Sequence, residues 1–168
     1  MASRILLVGM MGAGKTSVGR TLARRLGLPH LDSDEQVERR TGRTVPQLFA
    51  ERGEAAFRAE EKQALTDALE SEDGAVVSVA GGAVLDPDNR RMLREGGLVV
   101  WLRAEVPTLA RRVGDGQGRP LLGDDPAAAL TRLEAERRPF YAEVADVVVD
   151  VDGLTPEQAA DEILAASA

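Results

Sequence analysis

Residues 9–16 read Gly-Met-Met-Gly-Ala-Gly-Lys-Thr, which fits GxxxxGKT, and this octet stands between the apolar run 5–8 and a stretch with helical spacing from residue 15. The setting constrains the fold as much as the spelling does. A short apolar strand that turns sharply into a helix commits the chain to a strand–turn–helix unit, the opening of a βαβ crossover. Gly9, Gly12 and Gly14 let the main chain curl so that its N–H groups face inward at the positive end of the helix dipole, a nest for an anion of phosphate size. Lys15 adds a point charge able to reach terminal phosphates, and the Thr16 hydroxyl is a hard ligand for Mg²⁺. A glycine turn with a purely structural purpose needs neither group.

Further apolar runs at 75–79, 98–102 and 147–151, with a weaker one at 29–32, suit buried strands of a parallel sheet. Helical spacing fills the intervals. It appears at 15–26, where Val18, Leu22 and Leu26 share a face and Gly27 stops the helix, and again at 35–41 and 54–72. The stretches 104–113, 126–143 and 155–166 open near Pro107, Pro126 and Pro156. Strands alternating with helices predict an α/β fold, a mainly parallel sheet with helices on both faces, and 168 residues suit a single domain. The glycine-rich stretch 114–120 reads equally well as a mobile flap or as a plain connector.

Composition removes several classes of function. A net charge of −7 argues against a nucleic-acid partner, whose phosphates select basic surfaces. No stretch reads as a membrane span or as the apolar core of a signal peptide. Without cysteine there are no disulfides or thiolate metal sites, in agreement with a reducing cytoplasm. Lys15 and Lys62 are the only lysines among 21 basic residues, so the presence of any one arginine says little, while Lys15 stands out.

Ligands of doubly wound sheets gather at the carboxyl ends of the strands. After the second strand comes Asp32-Ser33-Asp34. Asp32 is placed to approach a metal at Thr16 and Asp34 to accept a hydrogen bond from a substrate hydroxyl; alternatively Ser33 or Asp34 simply caps the next helix. After the third strand, Ala80-Gly81-Gly82-Ala83 either exposes backbone N–H groups to a ligand or makes a tight turn. After the fourth lie Arg111 and Arg112 and then Arg119, the type of residue that neutralises a transferring phosphoryl group. The planar forks of Arg58 and Arg137 suit a carboxylate. His30 reads as a packed or hydrogen-bonded residue, Trp101, Phe140 and Tyr141 as core, and Phe49 and Phe57 as core or pocket lining.

In order and spacing, GMMGAGKTSVGRTLA at 9–23, LDSD at 31–34, TGR at 41–43, FR at 57–58, GGAV at 81–84, RPLL at 119–122 and RRPFY at 137–141 resemble the shikimate kinases. These are small P-loop enzymes of the nucleoside-monophosphate-kinase type. The resemblance implies a three-layer P-loop kinase fold with a five-stranded parallel sheet in the order 2-3-1-4-5. It divides the single domain 1–168 into a core (1–32, 73–113 and 144–168), a substrate-binding segment (33–61) and a lid (114–124). It implies ATP-dependent phosphorylation of the shikimate 3-hydroxyl to shikimate 3-phosphate and ADP, on the route to chorismate and the aromatic amino acids, by a cytoplasmic monomer that uses Mg²⁺.

The resemblance also implies roles. Gly12, Ala13, Gly14, Lys15, Thr16 and Ser17 hold the ATP phosphates, with Thr16 and Asp32 at the metal. Asp34 binds substrate hydroxyls and is the candidate base, while Arg58, Arg137, Gly81 and Gly82 complete the shikimate pocket. Arg119 is the lid arginine, Arg112 lies against the adenine, and the loop around Pro156 borders that base. Two departures stand out: Ala80 where the family commonly has a glycine, and 152–155 (Asp-Gly-Leu-Thr) where some members place a nucleotide-contacting arginine. The competing readings are a kinase for another small hydroxy acid such as gluconate, a nucleoside-monophosphate kinase, and a nucleotide-binding module without turnover.

Overall fold

Among the described residues five short strands form one sheet: β1 (Arg4–Val8), β2 (His30–Asp32), β3 (Ala75–Ser78), β4 (Leu98–Arg103) and β5 (Val147–Asp150). A computed structural model describes residues 4–71, 73–116 and 119–168 of the chain. All neighbouring pairs are parallel, in the order β2-β3-β1-β4-β5. Interior strands β3, β1 and β4 are covered on both faces, so almost every side chain is buried and the sequence is a continuous apolar run. The edge strand β5 instead alternates, and its Val148 is exposed.

Among the described residues seven α-helices connect and cover the sheet: α1 (Lys15–Leu26), α2 (Ser33–Thr41), α3 (Val45–Glu70), α4 (Pro87–Gly96), α5 (Val106–Val113), α6 (Pro126–Val144) and α7 (Pro156–Ser167). The strand order is the one the resemblance implies, and the helix at 15–26 is the one its apolar spacing predicts. The largest difference is α3, expected only from residue 54. Its start carries a capping box, in which Thr44 Oγ1 accepts from the Gln47 N–H at 3.2 Å and Gln47 Oε1 accepts from the Thr44 N–H at 2.9 Å. Gly53, at φ 85° and ψ 174°, then breaks the helix, so the apolar positions on its two sides fall out of phase. That break hid the first part.

One large core fills the space on both sides of the sheet. A second small cluster of Val37, Leu48, Phe57 and Ala64 lies between α2 and α3. The segment expected to bind substrate therefore has its own packing, separate from that of the sheet. Residues 1–3 of the expected core, Glu72 of the expected helix 54–72, and Gln117 and Gly118 of the expected lid lie outside the described residues.

Candidate active site

The turn after β1 and the first turn of α1 build the anion nest. Gly12 and Gly14 have φ of 85° and 95°, a backbone region closed to most side chains, and this turns the chain directly into the helix. Gly14 caps α1 without a side-chain hydrogen bond, and the first turn carries no acidic residue. Its N–H groups have no helical partner and thus face the cavity. Lys15 Nζ folds over the loop and donates to the carbonyls of Gly9 (2.6 Å) and Met10 (3.1 Å). Burial lowers its pKa to about 8, with Arg137 and Arg119 acting in the same direction and Asp34 and Asp32 opposing.

Beside this loop the Thr16 hydroxyl donates to Asp32 Oδ2 at 2.7 Å. The other carboxylate oxygen of Asp32 accepts from the N–H groups of Asp34 (3.0 Å) and Glu35 (3.2 Å). The cap of α2 is therefore Asp32, not Ser33 or Asp34, and capping and presentation of a carboxylate to Thr16 coexist in one residue. His30 has the hydrogen-bonded role expected of it. Its Nε2 lies 2.8 Å from Ser78 Oγ, which donates to the Lys15 carbonyl at 2.7 Å.

Asp34, freed from capping, faces the same space. Burial and the nearby Asp32 charge raise its pKa, while Lys15, Arg119 and Arg58 pull it down. Arg58 reaches in from α3 and pairs through Nη1 with Glu61 Oε2 at 3.0 Å. Glu61 is only 2% exposed, and burial raises its pKa against the pull of Arg58. Arg137 of α6 is 1% exposed, yet its Nε and Nη1 have no hydrogen-bond partner. A buried cation with unmade hydrogen bonds is costly unless a ligand completes it. The turn after β3 supplies the remaining wall. Tyr141 donates its hydroxyl to the Gly81 carbonyl at 2.7 Å, and a Cβ on Gly82 would stand 2.2 Å from Arg58 Nη1, so only glycine leaves room for that guanidinium. Ala80 fits, since no described non-glycine residue has a positive φ.

These groups line one cavity of about 530 Å³, which runs from the nest past Asp34 to Arg58 and Arg137 and is flanked by Phe49, Phe57, Arg112 and Arg119. Every expected site residue borders it except Ala13, which lies buried within the loop, and Pro156, which opens α7 outside the lining. Arg112 Nη1 donates to the carbonyls of Gly12 (3.2 Å) and Ala13 (3.1 Å), so it braces the loop.

The shikimate kinase family model matches residues 11–168 of the chain. The chain belongs to the shikimate kinase family. A curated shikimate kinase from Halorhodospira halophila is 52% identical over 152 residues, 90% of this chain and 85% of that protein. The solved shikimate kinase from Acinetobacter baumannii in complex with shikimate is 39% identical, with a TM-score of 0.93 over 96% of this chain and 90% of that one. A gluconokinase from Sinorhizobium meliloti is more distant, at 25% identity and a TM-score of 0.60 over 97% and 90%.

Among the residues around the cavity of this shikimate kinase family member, sequence reasoning missed Glu61 and the bracing role of Tyr141. The signal for Glu61 was present: an acid three residues after Arg58, on the apolar face that carries Phe57, Ala64 and Leu65. Thr16 Oγ1 and Asp32 Oδ2 form a pair of hard oxygen donors at the mouth of the nest. That pair fits Mg²⁺, which takes one or two protein oxygens and completes its shell with phosphate and water. Among the described residues no group of three or more His, Cys, Asp or Glu could hold a metal by itself.

Proposed function

We infer that the protein transfers the γ-phosphoryl group of ATP to the 3-hydroxyl of shikimate, giving shikimate 3-phosphate and ADP for aromatic amino acid biosynthesis. One observation carries this reading. A nest for polyphosphate and a buried guanidinium with two unmet N–H donors share a single cavity, with Asp34 among its lining groups. A compact acid alcohol satisfies both ends: its carboxylate completes Arg137 and Arg58, and its hydroxyls reach Asp34. A phosphate-rich second nucleotide has no use for the buried Asp34 carboxylate. The more distant match to a gluconokinase weighs against gluconate.

In this reading Gly12, Ala13, Gly14, Lys15, Thr16 and Ser17 hold the phosphates. Thr16 and Asp32 hold Mg²⁺, which when bound neutralises phosphate charge. Asp34 orients the 3-hydroxyl and takes its proton as the oxygen bonds to the γ-phosphorus and the bond to the β,γ-bridging oxygen breaks. Lys15 and Arg119 stabilise the charge that moves onto the ADP leaving group. Arg58, Arg137, Gly81 and Gly82 seat the acid, while Arg112 and Pro156 border the nucleotide base. Segment 33–61 closes on shikimate and the lid arginine Arg119 on ATP, which excludes water and so prevents hydrolysis. The residues assigned to both substrates stand on one chain, which supports a monomer, and the use of ATP supports a cytoplasmic location.

The test is ADP release coupled to shikimate 3-phosphate detected by mass spectrometry, with gluconate and AMP as competing acceptors and Lys15→Ala as control. Product from shikimate alone, absent in the control, is expected. Turnover only with gluconate or AMP, or nucleotide binding without any product, would overturn the reading.

A further inference from the structure

The phosphate loop is braced from outside by α5. A Cβ on Gly12 would stand 3.0 Å from the Leu109 carbonyl and 3.1 Å from Val113 Cγ1, so the backbone of the loop lies directly on the helix. Arg112, in the last turn of α5, holds the Gly12 and Ala13 carbonyls. The end of α5 also passes into the expected lid at Gly114. Any shift of this helix along its axis therefore moves the loop and the start of the lid together.

What fixes the other end of α5 is not on the helix. Its N-cap residue Glu105 makes no side-chain capping hydrogen bond, so the N–H of Glu105 itself needs a partner from elsewhere. Asp152, two residues beyond β5, supplies it. Its carboxylate accepts from the Glu105 N–H at 3.3 and 3.2 Å and from the Thr108 hydroxyl, and Thr108 in turn accepts from Arg111 Nη2 at 3.3 Å. Thr108 is 8% exposed, so this hydroxyl is largely shielded from water. A carboxylate at a helix N-terminus gains from both the N–H donors and the dipole.

We propose that Asp152 and Thr108 are positioning residues for the nucleotide: they clamp the N-terminus of α5 to the end of the sheet and so set where Arg112 holds the phosphate loop. Neither touches the cavity. The clamp deepens the function proposed above and rests on the nest being a nucleotide site. It predicts an effect on the nucleotide and none on the acid, whose arginines are carried by α3 and α6.

Mg·ADP affinity by titration calorimetry tests the clamp without requiring turnover, alongside KM for ATP and for shikimate. Asp152→Ala is expected to weaken Mg·ADP about tenfold and to raise the KM for ATP comparably, with the KM for shikimate within about twofold. Thr108→Val, which keeps the Glu105 bond, is expected to give a smaller effect of the same kind. Asp152→Asn, whose amide oxygen still accepts from Glu105 and whose NH₂ can donate to Thr108, should restore most of the affinity. Wild-type Mg·ADP affinity in both Asp152→Ala and Thr108→Val, or equal losses for ATP and shikimate, would overturn the clamp. A wild-type protein that binds Mg·ADP but makes no shikimate 3-phosphate would instead overturn the assigned reaction and leave the affinity test valid.

Discussion

Arg137 concentrates the conflict between stability and function in one side chain. It is almost fully buried, and two of its nitrogens have no hydrogen-bond partner. Replacing a buried, poorly compensated charge with an apolar residue of similar volume is often neutral or stabilising. Arg137→Met should therefore melt no lower than wild type, while shikimate binding falls on the order of 100-fold through loss of charge-assisted hydrogen bonds. Thermal unfolding together with shikimate titration checks this, and a drop in melting temperature of many degrees would refute it. Glu61 gives a prediction in pH. Burial raises its folded pKa above the unfolded value, so its contribution to stability is complete below the unfolded pKa and is lost as pH rises through the folded one. Glu61→Gln does not titrate. Urea unfolding should show the variant gaining on wild type from pH 4.5 to pH 7.5, and a constant difference across that range would contradict the assignment. These two residues also mark what single-residue reading can reach. The chemistry of Arg137 was legible in its planar fork, but not its burial, which depends on how α6 packs against the turn at Gly81.

At the level of elements, the turn after β3 and the segment after α5 divide the work. Gly82 has φ −88°, a conformation open to alanine, so Gly82→Ala acts only through the methyl group placed against Arg58. The end of an arginine is flexible and will move. The expected result is a melting temperature within about 2 °C of wild type and a KM for shikimate raised roughly tenfold, with the KM for ATP unchanged. Steady-state kinetics in both substrates checks it. Arg119, at the opening of the short helical turn Pro120–Leu122, borders the cavity from the other side. Arg119→Ala should lower kcat by about 10²–10³-fold with shikimate affinity nearly unchanged, because its charge matters most as the phosphoryl group moves. The elements themselves were legible where periodicity was unbroken, as in β1, β4 and α1. α3 was not, since Gly53 changes the phase of its apolar face, and a capping box is a weak signal without the helix behind it.

For the molecule as a whole, the cavity joins two separately packed parts: the sheet with its main core, which takes in Leu122 of the segment after α5, and the small cluster between α2 and α3. A ligand that spans them binds only the folded chain. Mg·ADP at 100 times its dissociation constant should add about 2.7 kcal/mol, or roughly 5–10 °C in melting temperature for a domain of this size. Lys15→Ala should abolish most of the nucleotide shift while keeping any shift from shikimate. Differential scanning fluorimetry decides it, and equal shifts in both proteins would mean that the nucleotide binds elsewhere.

The chain alone determined that a strand–loop–helix anion nest opens a parallel α/β sheet, because glycine spacing, a lysine and apolar periodicity are local properties of consecutive residues. It also carried, in segments far apart in sequence, the pattern that marks the family. Only the tertiary structure decided that Asp32 caps α2 while presenting its other oxygen to Thr16, that Glu61 steadies Arg58, and that Asp152 reaches across from β5 to hold α5. Those contacts join residues 16, 3 and 47 positions apart. For the two longer ones, nothing in local spacing says which donor a carboxylate will meet until the sheet has placed its loops side by side.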